Sequence, residues 1–242
     1  GEVTFKDVTF QYETNKPILK NINFTAKPGQ MIAIVGPTGS GKTTLINLLM
    51  RFYDVTEGEI LLDGTNIKNL KKEDLRKAFG MVLQDTWLFN GTIFENIKYS
   101  KDQASLEEVI EASKKANVDY FIKTQPQGYN MLINEEADNV SQGEKQLLTI
   151  ARAILGNPDI LILDEATSTV DTRIEAILQE AIRQLLKNRT SFVIAHRLST
   201  IRNADKILVL KDGEIIEEGT HDELLLKEGF YHTLYQSQFQ ED

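Results

Sequence analysis

The stretch Gly36-Pro37-Thr38-Gly39-Ser40-Gly41-Lys42-Thr43 constrains this chain more than any other, because it satisfies the phosphate-binding pattern G-x-x-x-x-G-K-[ST] at every required position. The glycines let the backbone curl so that successive N–H groups point inward at an anion. Lys42 adds a point charge, and Thr43 a hydroxyl for Mg2+. The flanks agree with the motif. The apolar run Met31–Val35 reads as a buried strand, and Thr44–Met50 reads as a helix whose N-terminus faces the phosphates. A turn that merely happened to be glycine-rich would need no such order of strand, loop and helix. Gly36 to Thr43, together with Thr44, are therefore expected to hold a nucleoside triphosphate.

The rest of the chain predicts an α/β fold. Val3-Thr4-Phe5, Val8–Tyr12 and Ile22-Asn23-Phe24 alternate in the manner of short antiparallel strands. Ile60–Leu62 before Asp63-Gly64 reads as a strand and turn, and Phe79–Leu83 as a strand ending at Gln84. From Ser105 to about Thr124 the apolar residues recur at helical spacing among charged ones, as in a small helical lobe. Beyond Ser141 helices alternate with the β-rich runs Ile160–Leu163, Ser191–Ala195 and Ile207–Leu210, which implies a largely parallel sheet covered by helices.

Ile160–Leu163 runs into Asp164-Glu165, at a strand's carboxyl end, where α/β sheets bind ligands. Phosphoryl transfer needs mainly positioning and charge stabilisation, so one carboxylate toward Mg2+ (Asp164) and one toward the attacking water (Glu165) form a sufficient pair. The competing reading is an acidic strand end that caps the next helix. His196 follows another such strand and could reach a terminal phosphate. Gln84 carries an amide able to bridge Mg2+ and water, which alone is a weak signal. Tyr12 is either a base-stacking ring or one more strand aromatic. Val140-Ser141-Gln142-Gly143-Glu144 precedes a helix with an apolar face; Ser141 and Glu144 form a capping box, and the Ser141 hydroxyl with the Gly143 amide could also accept a terminal phosphate.

Composition narrows the partners. A net charge of -9 over 242 residues gives no support to nucleic-acid binding, which normally shows a basic stripe. With no cysteine, disulfides and thiolate chemistry are excluded, and three histidines leave little room for a histidine-based metal site. No apolar run approaches the roughly 18 residues that span a bilayer, so the chain is expected to be soluble as given.

The ordered set Tyr12, GPTGSGKT at 36–43, Gln84, VSQGE at 140–144, ILILDE at 160–165, STVD at 168–171 and His196 resembles the nucleotide-binding domain of ATP-binding cassette (ABC) transporters, over essentially the whole chain. The segments that begin at Gln84 and at Ala195 resemble the exporter branch, typified by multidrug, lipid and peptide exporters. The resemblance implies a P-loop NTPase (RecA-like) core with a small antiparallel β subdomain and an inserted α-helical subdomain. Residues of about 1–84 and 145–242 would form the core, and about 85–144 the helical part. It implies ATP and Mg2+ as cofactors, Tyr12 stacked on adenine, and Thr43, Gln84 and Asp164 around the metal. Glu165 would be the catalytic glutamate, His196 the switch histidine, and Gln84 the coupling-loop glutamine.

Two such domains would sandwich two ATP molecules head to tail, each between one phosphate loop and the Ser141-Gly143 signature of the other chain, with Asp171 reaching across. A transmembrane domain would be the further partner, at the cytoplasmic face of a membrane. The usual signature is Leu-Ser-Gly-Gly-Gln; here Val140, Gln142 and Glu144 depart from it, and Asn134–Ala137 replaces a glycine-rich segment. Ser141 and Gly143 survive. These departures suggest one half of a heterodimeric exporter, with a homodimer tolerating a variant signature as the alternative. Other readings are a non-transport ATPase of the same superfamily and a scaffold that binds nucleotide without turnover; intact Glu165 and His196 argue against the scaffold.

Overall fold

The computed structural model describes residues 1–83, 86–165 and 172–238. The chain runs β1 (Val3–Gln11), β2 (Pro17–Ala26), β3 (Met31–Val35), α1 (Lys42–Leu49), β4 (Glu57–Leu62), β5 (Thr65–Asn66), α2 (Lys72–Lys77) and β6 (Phe79–Val82). It continues with β7 (Gly91–Thr92), α3 (Ile93–Lys98), α4 (Leu106–Lys115), α5 (Asp119–Thr124), β8 (Leu132–Ile133) and α6 (Gln142–Gly156). Then follow β9 (Ile160–Asp164), α7 (Thr172–Leu186), β10 (Thr190–Ile194), α8 (Leu198–Asn203), β11 (Lys206–Lys211), β12 (Glu214–Gly219), α9 (His221–Leu226) and α10 (Phe230–Gln238). These elements gather into two compact units. One comprises Gly1–Phe79, Asp159–Glu165 and Asn188–Asp242; the other comprises Gly80–Pro158 and Ala166–Lys187.

The first unit holds two sheets. The smaller has the order β2-β1-β4-β5 and is antiparallel throughout. The alternating segments at Val3–Phe5 and from Val8 belong to one strand, because Asp7 adopts a φ of 47° and the register shifts between Phe5 and Val8. Such a bulge bends a strand without ending it. Asp63 and Gly64 both have positive φ, 48° and 78°, as a two-residue hairpin between β4 and β5 requires.

Within the same unit β12, β11, β3, β10 and β9 lie side by side in that order. The pairs β11–β3, β3–β10 and β10–β9 are parallel, whereas β12 is antiparallel to β11. Ile32–Val35, Ile160–Leu163, Phe192–Ile194 and Ile207–Leu210 are buried residue after residue, which explains why they read as continuous apolar runs. Strand β12 alternates half-buried and exposed positions, as an antiparallel edge strand does.

The second unit is mainly helical, and it includes α6 and α7 in addition to the stretch expected to form the inserted lobe. Helix α4 starts at a capping box of Ser105 and Glu108 and stops at Ala116, after which Asn117 turns the chain with a φ of 57° before α5. Helix α6 packs against α3, α4 and α7. Buried Asn96 ties α3 to the segment before it. Its Oδ1 accepts the Phe89 N–H at 3.0 Å, and its Nδ2 donates to the carbonyls of Phe89 and Thr92. Arg152 of α6 donates to the Asn96 carbonyl at 2.7 Å and to the Trp87 carbonyl at 3.0 Å. No helix among the described residues is long and apolar enough to cross a membrane.

Helices α9 and α10 close the first unit around a buried histidine. His221 Nδ1 lies 2.7 Å from the Tyr231 hydroxyl, and the ring stands edge-on to Tyr235. Burial, aided by the Arg202 charge and opposed by Asp222, pulls the imidazole below its ordinary value of 6.5. The unfolded chain therefore takes up the proton more readily than the folded one. The stabilisation from this group is complete above about pH 6.5 and declines as the pH falls toward the lowered folded value. Urea unfolding should show less resistance at about pH 5.5 than at about pH 7.5, and His221→Asn should flatten part of that dependence.

Candidate nucleotide-binding site

Strand register assembles the site. In the parallel ladder Ile194 of β10 stands opposite both Ile34 of β3 and Asp164 of β9. The ladder continues one residue further on each side, with the Glu165 N–H donating to the Ile194 carbonyl at 3.1 Å and the Ala195 N–H to the Ile34 carbonyl at 3.2 Å. The segments that begin at Gly36, Glu165 and His196 thus leave the sheet at one level, along its carboxyl edge. The strand that precedes His196 is the central one, flanked by the two strands that carry the phosphate loop and the acid pair.

The loop between β3 and α1 is held from its outer side by the β11–β12 hairpin. The Gly213 N–H donates to the Ser40 carbonyl at 3.2 Å, while the Gly213 carbonyl accepts from the Lys20 N–H at 2.8 Å. Gly36 passes so close to β11 that a Cβ there would stand 2.2 Å from the Leu210 carbonyl oxygen and 2.8 Å from Ser40 Oγ. Gly41, the residue before α1, has a φ of 104°, and a Cβ on it would meet a Leu19 methyl at 2.6 Å. Lys42 Nζ donates to the carbonyls of Gly36 at 2.6 Å and Pro37 at 3.0 Å. Burial lowers the lysine from its ordinary range, and the neighbouring Asp164 charge opposes that shift.

These features fit a polyphosphate. Ser40 Oγ is buried and without a hydrogen-bond partner, nothing lies within 4 Å of where a Gly39 side chain would begin, and Thr43 is exposed. Among the described residues there is no group of three or more carboxylates and imidazoles that could hold a metal alone. Mg2+ keeps waters and phosphate oxygens and takes few protein ligands; Thr43 and half-buried Asp164 are the candidate ones here.

Glu165 is 5% exposed, and isolating a carboxylate at that depth would cost several kcal/mol. It is not isolated. Its Oε2 accepts the N–H groups of His196 at 3.0 Å and Arg197 at 3.2 Å, and its Oε1 accepts the Thr200 hydroxyl. Hydrogen bonds to a charged group contribute about 1.5–3 kcal/mol each, enough to offset the burial. The residue His196 itself is exposed. Tyr12 lies just past β1, 49% exposed and edge-on to Phe10 and Tyr53, with its hydroxyl 3.4 Å from Thr44 Oγ1.

Ser141 and Gly143 belong to the second unit, at the start of α6. The Ser141 hydroxyl accepts the Glu144 N–H at 3.4 Å, and Glu144 Oε2 accepts the Ser141 N–H at 2.9 Å, so the capping box forms. The Glu144 carboxylate is thereby turned back onto its own helix start. An accepting hydroxyl keeps its proton to donate, so Ser141 remains competent toward an anion. Gln142 Nε2 lies 3.4 Å from Thr86 Oγ1. Gln84 and Asp171, with the rest of the turn at 168–171, lie outside the described residues. Leu210, Gly213 and Thr200 were not singled out by the sequence pattern. Asp212-Gly213 could have been read as a hairpin turn, but no local signal says which loop that turn supports.

A phosphate loop between the first strand of a parallel sheet and the helix that follows defines a P-loop NTPase fold. The family model described as "ABC transporter" matches residues 19–168, and the chain belongs to that family as a nucleotide-binding domain. It is 53% identical over 234 residues to a fatty acid ABC transporter ATP-binding/permease protein of Mycobacterium bovis, covering 97% of this chain and 37% of the relative. It is 50% identical over 241 residues to an ATP-dependent lipid A-core flippase of Syntrophus aciditrophicus, covering 100% of this chain and 40% of the relative. The solved structure of a bacterial Atm1-family ABC exporter with ATP bound superposes with a TM-score of 0.91 at 45% identity, over 98% of this chain and 42% of that one. The chain therefore spans about two fifths of the length of these relatives.

Because Gly36 lies against the Leu210 carbonyl, Gly36→Ala should displace the loop rather than merely stiffen it. We expect affinity for a fluorescent ATP analogue to fall by about tenfold or more, a loss that corresponds to displacement of one or two loop hydrogen bonds. Titration of the variant beside the parent measures it.

Proposed function

We propose that this chain is the ATP-hydrolysing motor domain of an ABC exporter, working at the cytoplasmic face of a membrane with a transmembrane domain and a second nucleotide-binding domain. The observation that carries the reading is the common level at which β3, β10 and β9 deliver Gly36, His196 and Glu165 to one edge. Relatives named as ATP-binding/permease proteins and a flippase support the transport part.

When bound, Mg2+ would supply charge neutralisation on the transferring phosphoryl group. The rest falls to the chain. Loop amides and Lys42 hold the β- and γ-phosphates, Thr43 and Asp164 hold the metal with Gln84, and Tyr12 stacks on the adenine. Glu165 orients and activates the attacking water, and His196 meets the terminal phosphate. Closure follows because the triphosphate, lying between this loop and the partner's signature, is itself interface material; cleavage removes those differential contacts and lets the dimer reopen. The barrier falls mainly through positioning and general-base help, the latter contributing about 10²–10⁴-fold. Glu165→Gln keeps the shape and loses the charge. It should bind ATP with near-parental affinity, turn it over at least about a hundredfold more slowly, and persist as a closed dimer in size-exclusion chromatography. Near-parental turnover would remove Glu165 from its role.

The altered signature supports an asymmetric pair. Val140-Ser141-Gln142-Gly143-Glu144 keeps the hydroxyl and the glycine, but it adds a side chain at 142 that restricts the backbone and whose amide reaches toward Thr86. In this reading the chain's own ATP is hydrolysed against a partner's signature, while the partner's ATP faces this variant one and turns over slowly. The competing reading is a homodimer. It predicts that the chain without a different partner hydrolyses ATP cooperatively at full rate, whereas the asymmetric reading predicts full rate only on mixing; steady-state ATPase assays of both mixtures decide.

A further inference from the structure

The three hydrogen bonds to Glu165 differ in what they control. Both N–H donors, from His196 and Arg197, reach the same oxygen, Oε2. They hold that oxygen, but the direction from which an sp² oxygen accepts is broadly distributed, so the tilt of the carboxylate about Oε2 is set less tightly. Among the described residues only the Thr200 hydroxyl reaches Oε1, from the third residue of α8. Thr200 is 9% exposed, so water has little access to replace it. A carboxylate offers about four lone-pair sites; the three donors among the described residues fill all but one, and the remaining one belongs to Oε1. Its direction is set by the partner that fixes Oε1.

We propose that Thr200 is a positioning residue for ATP hydrolysis: its hydroxyl sets the plane of the Glu165 carboxylate so that the one open lone pair of Oε1 faces the attacking water. The proposal rests on the reading of Glu165 as the group that activates that water. Thr200 touches neither nucleotide nor water in this scheme. It acts through Glu165, and it links the acid to the segment that carries His196, because all three donors come from the residues immediately after β10. The hydroxyl must donate, since an ionised carboxylate has no proton to offer.

Thr200→Val keeps the shape and removes the donor, and Thr200→Ser keeps the donor and removes a methyl. In steady-state ATP hydrolysis by the chain in its native assembly, the valine variant should lose about tenfold or more in kcat, with KM for ATP unchanged within about twofold; the serine variant should recover most of the rate. In the Glu165→Gln background Thr200→Val should add no further loss, because the two residues act as a unit.

A fall in kcat of the same size in that background would overturn the proposal, as would full activity of Thr200→Val alone. If instead Glu165→Gln by itself retains turnover, the reading of Glu165 fails first, and the two failures are told apart. Thr200→Val and Thr200→Ala are both assayed for binding of a fluorescent ATP analogue. The kinetic test is read on whichever binds like the parent; if neither does, the hydroxyl serves folding alone and the proposal falls.

Discussion

Parallel pairing of β10 with β3 on one side and β9 on the other, in a single register, is the constraint on which the site depends. The three strands come from residues 31–35, 160–164 and 190–194, and nothing local holds them at a common height. Continuous hydrogen bonding does, extending from the Ile34–Ile194–Asp164 row through the amides of Ala195 and Glu165. A slip of one residue would turn each side chain to the opposite face and would carry Glu165 away from the amides of His196 and Arg197. Burial on both faces makes such a slip costly, because every residue from Ile160 to Leu163 is in the core.

The site also concentrates polar groups that a core does not tolerate alone. Lys42 directs two donors to the loop's own carbonyls, and Glu165 accepts three hydrogen bonds from one neighbouring segment. Each arrangement satisfies the group while holding it in place, which is the preorganisation that phosphoryl transfer requires. Support comes from further off in the chain. Leu210 and Gly213 brace the phosphate loop without contacting anything that reacts, so the β11–β12 hairpin is as much a part of the loop's geometry as the glycines are.

In the helical unit the same economy appears at the start of α6. Ser141 and Glu144 satisfy each other's backbone N–H groups, which settles the carboxylate's orientation and leaves the serine its proton. Behind that helix start, Arg152 and Asn96 tie α6 to α3 and to the segment from Trp87 to Phe89. The guanidinium also lies 5.8 Å from the Trp87 ring and 5.5 Å from the Tyr99 ring, so one half-buried cation organises both the helix contact and an exposed aromatic pair.

Short-range chemistry was legible in the chain. The phosphate loop, the acid pair after an apolar strand, the capping boxes at Ser105 and Ser141 and the apolar strands themselves each depend on residues within a few positions of one another. The family signature was legible for the same reason. Other features were not. The two alternating segments around Asp7 read as separate strands, because a bulge depends on the partner strand. The affiliation of α6 and α7 with the helical unit depends on which apolar face meets which, and periodicity marks a face without naming its neighbour. The amino-acid sequence by itself determined where the glycine-rich loop, the acid pair and the capping boxes stand, since each rests on residues close together in the chain. Tertiary structure alone decided that β10 would stand between the motif-bearing strands, that Gly213 would brace the loop and that Thr200 would reach Glu165, because strand order and burial are properties of contacts between residues far apart in the chain.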